Sequence, residues 1–242
     1  MSLKNIIIAG MLSTTILMSV AANADEMSNF YVQLNGGAAL GLAPKGDFGT
    51  KKAGNSALFG AEAGYQFDEH LRTSVSLDYL SKFSFTDTIV ETENAGLDKL
   101  TSNYNYKVKS LVAMVNFYYD IMEAKGFTPY VTVGAGMARN QTTVSGTWFV
   151  TGTDTADGTI SYNKYTKNNF AWRVGLGARY ALNQNVVLDL SYRFSDLGKI
   201  ATSTGTASGT SKEGKTASDS LPAKQNGKLR AHEVLFGVAY KF

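Results

Sequence analysis

Cysteine is absent and proline is scarce, with three in 242 residues. Without thiols there can be no disulfide framework and no thiolate metal site. Two histidines leave little imidazole for acid–base or metal chemistry. Charge of one sign is also lacking, since 23 Lys+Arg against 20 Asp+Glu leave a formal balance of +3. The cations are scattered, and no basic block interleaves with aromatics, which excludes nucleic acid as a partner. The one sustained apolar run, residues 6–20, is shorter than a bilayer-spanning helix requires. It follows Lys4 and ends at the small-x-small triplet Ala22-Asn23-Ala24. Residues 1–24 therefore read as a cleaved secretory signal, and residues 25–242 as the exported chain.

What is present is alternation. In the last stretch, residues 232–242, Val234, Phe236, Val238, Tyr240 and Phe242 fall on one face, and Glu233, Leu235, Gly237, Ala239 and Lys241 on the other. Side chains alternate across a strand, so a wholly apolar face opposite small and charged residues places lipid outside and a polar interior within. The same pattern recurs over residues 30–40, 58–67, 71–85, 107–119, 128–138, 170–180 and 186–194. Short turns at 68–70, 123–126 and 183–185 separate some of these segments, and long stretches at 41–57, 86–106, 139–169 and 198–228 separate the others. The expected fold is an all-β, eight-stranded, antiparallel up-and-down transmembrane β-barrel. Its short turns would lie in the periplasm and its four long loops outside the cell.

Aromatics are expected to form two girdles. Tyr65, Phe67, Phe117, Tyr119, Tyr180, Tyr240 and Phe242 stand next to short turns, whereas Tyr79, Phe83, Phe170, Trp172, Tyr192 and Phe194 stand next to long loops. Residues 142–151 and 159–165 are rich in β-formers and flank Asp157-Gly158, which predicts a hairpin reaching past the membrane. Residues 198–228 are rich in Thr, Ser, Gly and Lys without periodicity, the composition of a disordered segment.

Inward-facing positions hold Glu62, Asp78, Asp189 and Glu233 as acids and Arg72, Arg173, Arg179, Arg193 and Lys241 as bases. Unpaired charge in a narrow interior is costly, so both signs are expected to satisfy one another, with Glu62 and Asp78 facing Arg173 or Arg193. A narrow diffusion channel lined by these groups is the rival reading. Catalysis finds no support: strand parity turns His232 toward lipid or its interface, and nothing marks a nucleophile. No cofactor or metal is expected. The partner-binding candidates are Trp148 and Phe149 in the hairpin and Lys212, Lys215, Lys224 and Lys228 around the last loop. The basic loop could equally neutralise lipopolysaccharide phosphates.

The repeated layout, the segment Leu-Ser-Tyr-Arg-Phe-Ser-Asp-Leu-Gly at 190–198 and the terminal Phe242 resemble the opacity-protein and porin-family surface antigens of proteobacteria. That resemblance implies an outer-membrane protein embedded in lipid and lipopolysaccharide, with a host-cell or serum protein bound through its loops in the manner of an adhesin. It implies no particular binding residue. A monomer is expected, and a purely structural envelope role is the remaining alternative.

Overall fold

The computed structural model describes residues 29–44, 54–93, 98–152, 155–211, 214–223 and 227–242. The leader assigned to residues 1–24 lies outside them, as do residues 45–53 of the first long loop. Eleven antiparallel strands form one sheet: β1 (Phe30–Gly41), β2 (Asn55–Gln66), β3 (Leu71–Glu93), β4 (Asp98–Asp120), β5 (Phe127–Thr151), β6 (Ala156–Tyr162), β7 (Tyr165–Ala181), β8 (Val186–Ile200), β9 (Gly205–Ser211), β10 (Thr216–Leu221) and β11 (Gly227–Lys241).

This corrects the expected eight-stranded up-and-down barrel. The sheet runs β10-β9-β6-β5-β4-β3-β2-β1-β11-β8-β7 and ends on an open edge at β10. An additional pairing joins β5 to β7, from Phe127↔Tyr180 to Thr142↔Tyr165, and curls the sheet back so that one face is enclosed. Above that point β5 changes partner, pairing with β6 from Ser145↔Ser161 to Val150↔Ala156, and β9 and β10 continue outward from β6.

The extra strands arise from segments whose composition reads as loop. Residues 86–93 and 98–106 are strand rather than loop, because the β3–β4 ladder continues from Phe83↔Val108 to Glu93↔Asp98. The expected disordered segment 198–228 contains β9 and β10. In β9, Gly205, Ala207 and Gly209 turn inward while Thr206, Ser208 and Thr210 face out. The small inward residues make room for aromatic rings: a Cβ on Gly205 would meet the Tyr162 ring at 2.7 Å, and one on Gly209 would collide with the Trp148 indole. The anticipated hairpin exists, but Asp157 and Gly158 lie within β6, paired with Phe149 and Trp148, rather than at its turn.

The outer face is apolar, as the alternation requires. Leu34 is 71% exposed and Phe170 69%, values that only a hydrocarbon surrounding makes tolerable over so many residues. Beside the short turns, Tyr65 packs edge-on against Phe30 and Phe67 at 4.8 and 5.0 Å, and Tyr240 against Phe242 at 5.3 Å. Toward the other end, Trp172, Phe194, His232 and Tyr192 form a continuous ring cluster, closed by a 2.6 Å hydrogen bond between Tyr192 Oη and His232 Nδ1. Phe83 is missing from that outer girdle. A register shift between Leu80 and Phe83 reverses its parity and buries it completely inside.

Two short turns use the same device. Asp68 Oδ1 accepts from the backbone N–H of His70 and Leu71 at 2.7 and 2.8 Å, and Asn183 Oδ1 from Asn185 and Val186 at 2.9 and 2.8 Å. The two backbone donors hold the Asp68 carboxyl below its ordinary range.

Candidate functional site

The enclosed face has two tiers. Toward the short turns it carries charge. Arg72 donates from Nε to Asp120 Oδ2 at 2.7 Å and from a terminal nitrogen to Oδ1 at 2.8 Å. Its guanidinium lies 4.5 Å from the centre of the Tyr118 ring and 5.0 Å from that of Tyr130. The phenols then serve the acids: Tyr118 and Tyr31 donate to Glu62 at 2.9 and 3.0 Å, and Tyr130 donates to Asp189 at 2.9 Å. Arg179 sits 5.1 Å from the centre of the Tyr31 ring.

One step further from the turns, Arg173 donates to Asp78 Oδ2 at 2.6 Å. Arg193 bonds Glu233 at 3.2 Å and approaches the other Asp78 oxygen at 4.0 Å. Arg173 is 2% exposed and Glu233 1%. Charges this dry need partners, and the arginines with Asp78, Asp120 and Glu233 supply them. Lys241 is only partly buried, lining a small cavity at the turn end with Asp120, Glu123 and Arg179.

The second tier is apolar, which the expectation of a polar interior did not include. Phe83, Phe85, Tyr106, Val108, Leu197 and Leu229 belong to one buried cluster, and Val112 and Leu235 join it from the same face. Leu235, on the inward face of β11 with Glu233 and Gly237, is thus a core residue. Trp148 and Ala207 pack on this cluster from above, so the sheet extension roofs the interior. Packed side chains rather than an open bore occupy the described interior.

Of the pairs expected from the sequence, some are brought together and others are not. Asp78 does meet Arg173, and Arg193 lies near it. Glu62 meets tyrosines instead of an arginine, and Asp189 likewise. Asp120 escaped the sequence reading because it looks like the start of a turn, yet it pairs with Tyr130 in the β4–β5 ladder. Tyr31, Tyr118 and Tyr130 could have been found by parity, since each is one position from an outward residue.

Outside the lipid band, the partner-binding candidates separate. Phe149 is 39% exposed and lines a cleft with Val150, Asp157, Thr210 and Ser211 at the far end of the extension. Lys215 stands beside it, its backbone N–H donating to Ser211 Oγ at 3.3 Å. Trp148 points the other way and is half-buried over Gly158 and Gly209, bracing β5, β6 and β9. Lys228 lies at the start of β11, opposite Lys199, away from the tip. Lys212 and Lys224 lie outside the described residues.

Several known proteins are similar to this chain. The chain is 28% identical to outer membrane protein PagN of Salmonella typhimurium, over 99% of this chain and 90% of that protein. It is 27% identical to an uncharacterized protein of Brucella abortus, over 81% of this chain and 71% of that one. Among solved structures, Neisserial surface protein A superposes with a TM-score of 0.46 at 20% identity, over 88% of this chain and 97% of its own. Ail, the attachment invasion locus protein of Yersinia pestis, superposes with a TM-score of 0.42 at 14% identity, over 88% and 99%. The family model described as outer membrane protein beta-barrel domain matches residues 9–242. The chain belongs to that family, as a bacterial outer-membrane protein that carries loops on the cell surface.

Proposed function

We propose that the protein is an adhesin in which the lipid-embedded sheet anchors a rigid extension and the tip of that extension contacts a host-cell or serum protein. The observation that carries this reading is the exposure of Phe149 beside a cleft of about 440 Å³, held at the end of strands that continue far past the outer aromatic cluster. A cleft of that size is within the range that accepts a ligand group or partner side chains. Exposed aromatics flanked by cations are the composition of binding hot spots, and Lys215 supplies a cation there. Lys212 and Lys224 are kept as further candidate partner contacts on their charge alone. Trp148 acts as a brace, because its ring is spent on Gly158 and Gly209. Lys228 belongs to the rim. The chain acts as a monomer in this reading, and residues 25–242 form its exported part.

The test removes residues 146–161 and 205–221 and measures binding to host cells and to serum proteins alongside heat-modifiable electrophoretic mobility. Loss of binding with retained mobility supports the proposal, and unchanged binding overturns it. The diffusion-channel alternative is disfavoured by the filled interior.

A further inference from the structure

The part of the sheet that rises past the membrane strands is open on both sides. Among the described residues, β3 has no second ladder beyond Leu80, and β10 has none on the side away from β9. Free strand edges template further pairing, and proteins blunt them with charge or proline. β3 is guarded in that way, since Asp87 and Glu91 stand along its free stretch. β10 carries only Asp219, and every one of its six side chains except Leu221 is exposed.

The β9–β10 ladder fixes which backbone groups look outward. The Ser211 N–H donates to the Lys215 carbonyl at 2.9 Å, closing the hairpin with a bonded pair. Bonded and non-bonded pairs alternate in an antiparallel ladder, so Ala217, Asp219 and Leu221 spend their backbone groups on Gly209, Ala207 and Gly205. Thr216, Ser218 and Ser220 therefore turn their N–H and C=O away from the sheet. Among the described residues only the Ser220 N–H of these is held, by Asp219 Oδ1 at 2.8 Å.

We infer that β10 pairs with β10 of a second copy of this chain, and that the second copy stands in an opposing membrane. The edge is complementary to itself. In an antiparallel pairing centred on Ser218, Thr216 of each copy bonds Ser220 of the other, so every outward backbone group finds a partner. Ala217 then faces Asp219 across the join, and Lys215 lies diagonal to the other copy's Asp219, so opposite charges meet. A register centred on Asp219 would set two carboxylates opposite each other and is disfavoured. Symmetry then places the copies. An isologous pair of antiparallel strands has its two-fold axis perpendicular to the sheet. The extension continues the wall of the membrane strands through the unbroken β4–β5 ladder, so that axis lies parallel to the membrane plane. A half-turn about it points the second anchor the opposite way. The chain thus stays a monomer within its own membrane and links one cell surface to another. One short edge is a weak contact, and many copies on both surfaces acting together make it lasting. The inference goes beyond host contact, since Phe149 and its cleft take no part in it.

The experiment places the full protein in phosphatidylcholine vesicles with the extension outward, in two populations that carry different dyes, and reads their clustering by energy transfer. Transfer should appear when both populations carry the protein and vanish when one is bare. S218P should reduce it about tenfold or more, because it removes an outward N–H while the bonds to β9, made by the neighbouring residues, and heat-modifiable mobility are kept. K215E and D219K should each fail to cluster alone, since like charges then meet on the diagonal. Mixing K215E vesicles with D219K vesicles should restore clustering, and that rescue decides the matter even if S218P misfolds. Transfer to bare vesicles overturns the inference, as does full transfer by folded S218P or a mixture that clusters no better than its components. No host component is present, so host-cell binding can fail while this contact stands, and the reverse.

Discussion

Arg72 and Asp120 meet through two parallel hydrogen bonds, at 2.7 and 2.8 Å, with the aromatic faces of Tyr118 and Tyr130 closing over the guanidinium. Both side chains are almost completely buried, so neither can fall back on water. Removing one leaves the other charged and dry. Asp120→Ala should therefore cost about 3–5 kcal/mol of stability, while Arg72→Met combined with Asp120→Leu should cost much less. Urea unfolding in vesicles measures both, and equal costs would show that packing rather than charge dominates there.

Asp78 has a second cation in reserve, because Arg193 approaches it at 4.0 Å while Arg173 holds it at 2.6 Å. Arg173→Met should then be milder than Asp120→Ala. The double change Arg173→Met with Arg193→Met should exceed the sum of the single effects by about 0.5–3 kcal/mol. A double-mutant cycle in the same unfolding assay reads this coupling.

The packed interior makes a further expectation about conduction. In planar bilayers the protein should show no steady open level, and Arg173→Met or Arg193→Met should not create one, because the apolar tier around Phe83, Tyr106 and Leu229 still fills the path. A persistent conductance that shifts when either arginine is neutralised would revive the channel reading.

At the first short turn, the depressed pKa of Asp68 fixes the sign of a pH effect. Its carboxylate contributes stability above its unfolded pKa, about 3.9, and loses it as pH falls through the lower folded value. The stability difference between the native protein and Asp68→Ala should accordingly be constant at neutral pH and shrink in strong acid. The Asn183 turn has the same geometry without a titrating group, so Asn183→Ala should show a difference that does not change with pH over that range.

Gly209→Val should place a side chain against the Trp148 indole and the Asp157 carbonyl. Overpacking of that kind costs roughly 1–3 kcal/mol, and here it falls on the extension alone. Limited proteolysis should cut within β9 and β10 while heat-modifiable mobility is kept. Cleavage spread through the membrane strands would contradict the separation of the two regions.

The membrane portion was legible because lipid imposes a strict rule on every outward residue. Leu34, Val75, Phe117 and Val133 obey it, and the eight alternating segments appear where that rule predicts. The extension has no such solvent to satisfy. Thr206, Ser208 and Thr210 face water, and Gly205, Ala207 and Gly209 are small because Tyr162 and Trp148 need the room, a reason that exists only once β6 and β9 are side by side. That is why β9 and β10 resembled an unstructured tract and the strand count came out low. Within the interior, charge was legible at Asp78, Arg173, Arg193 and Glu233. The phenols of Tyr31, Tyr118 and Tyr130 were overlooked because their outward neighbours, such as Phe117, Tyr119 and Val131, draw the eye to the lipid side. Val112, an apolar residue on the inward face of β4, is one of the residues that build the apolar tier.

The ladder between β1 and β11 pairs Tyr31 with Lys241, so the wall joins its earliest strand to its latest. No intermediate length of polypeptide can seal that join, and contacts so distant along the sequence make for slow assembly. The chain must therefore cross the periplasm with its greasy alternating segments still unpaired. Segments left unpaired in this way are prone to aggregate, so cells depleted of periplasmic holdases should lose this protein to proteolysis before it reaches its destination.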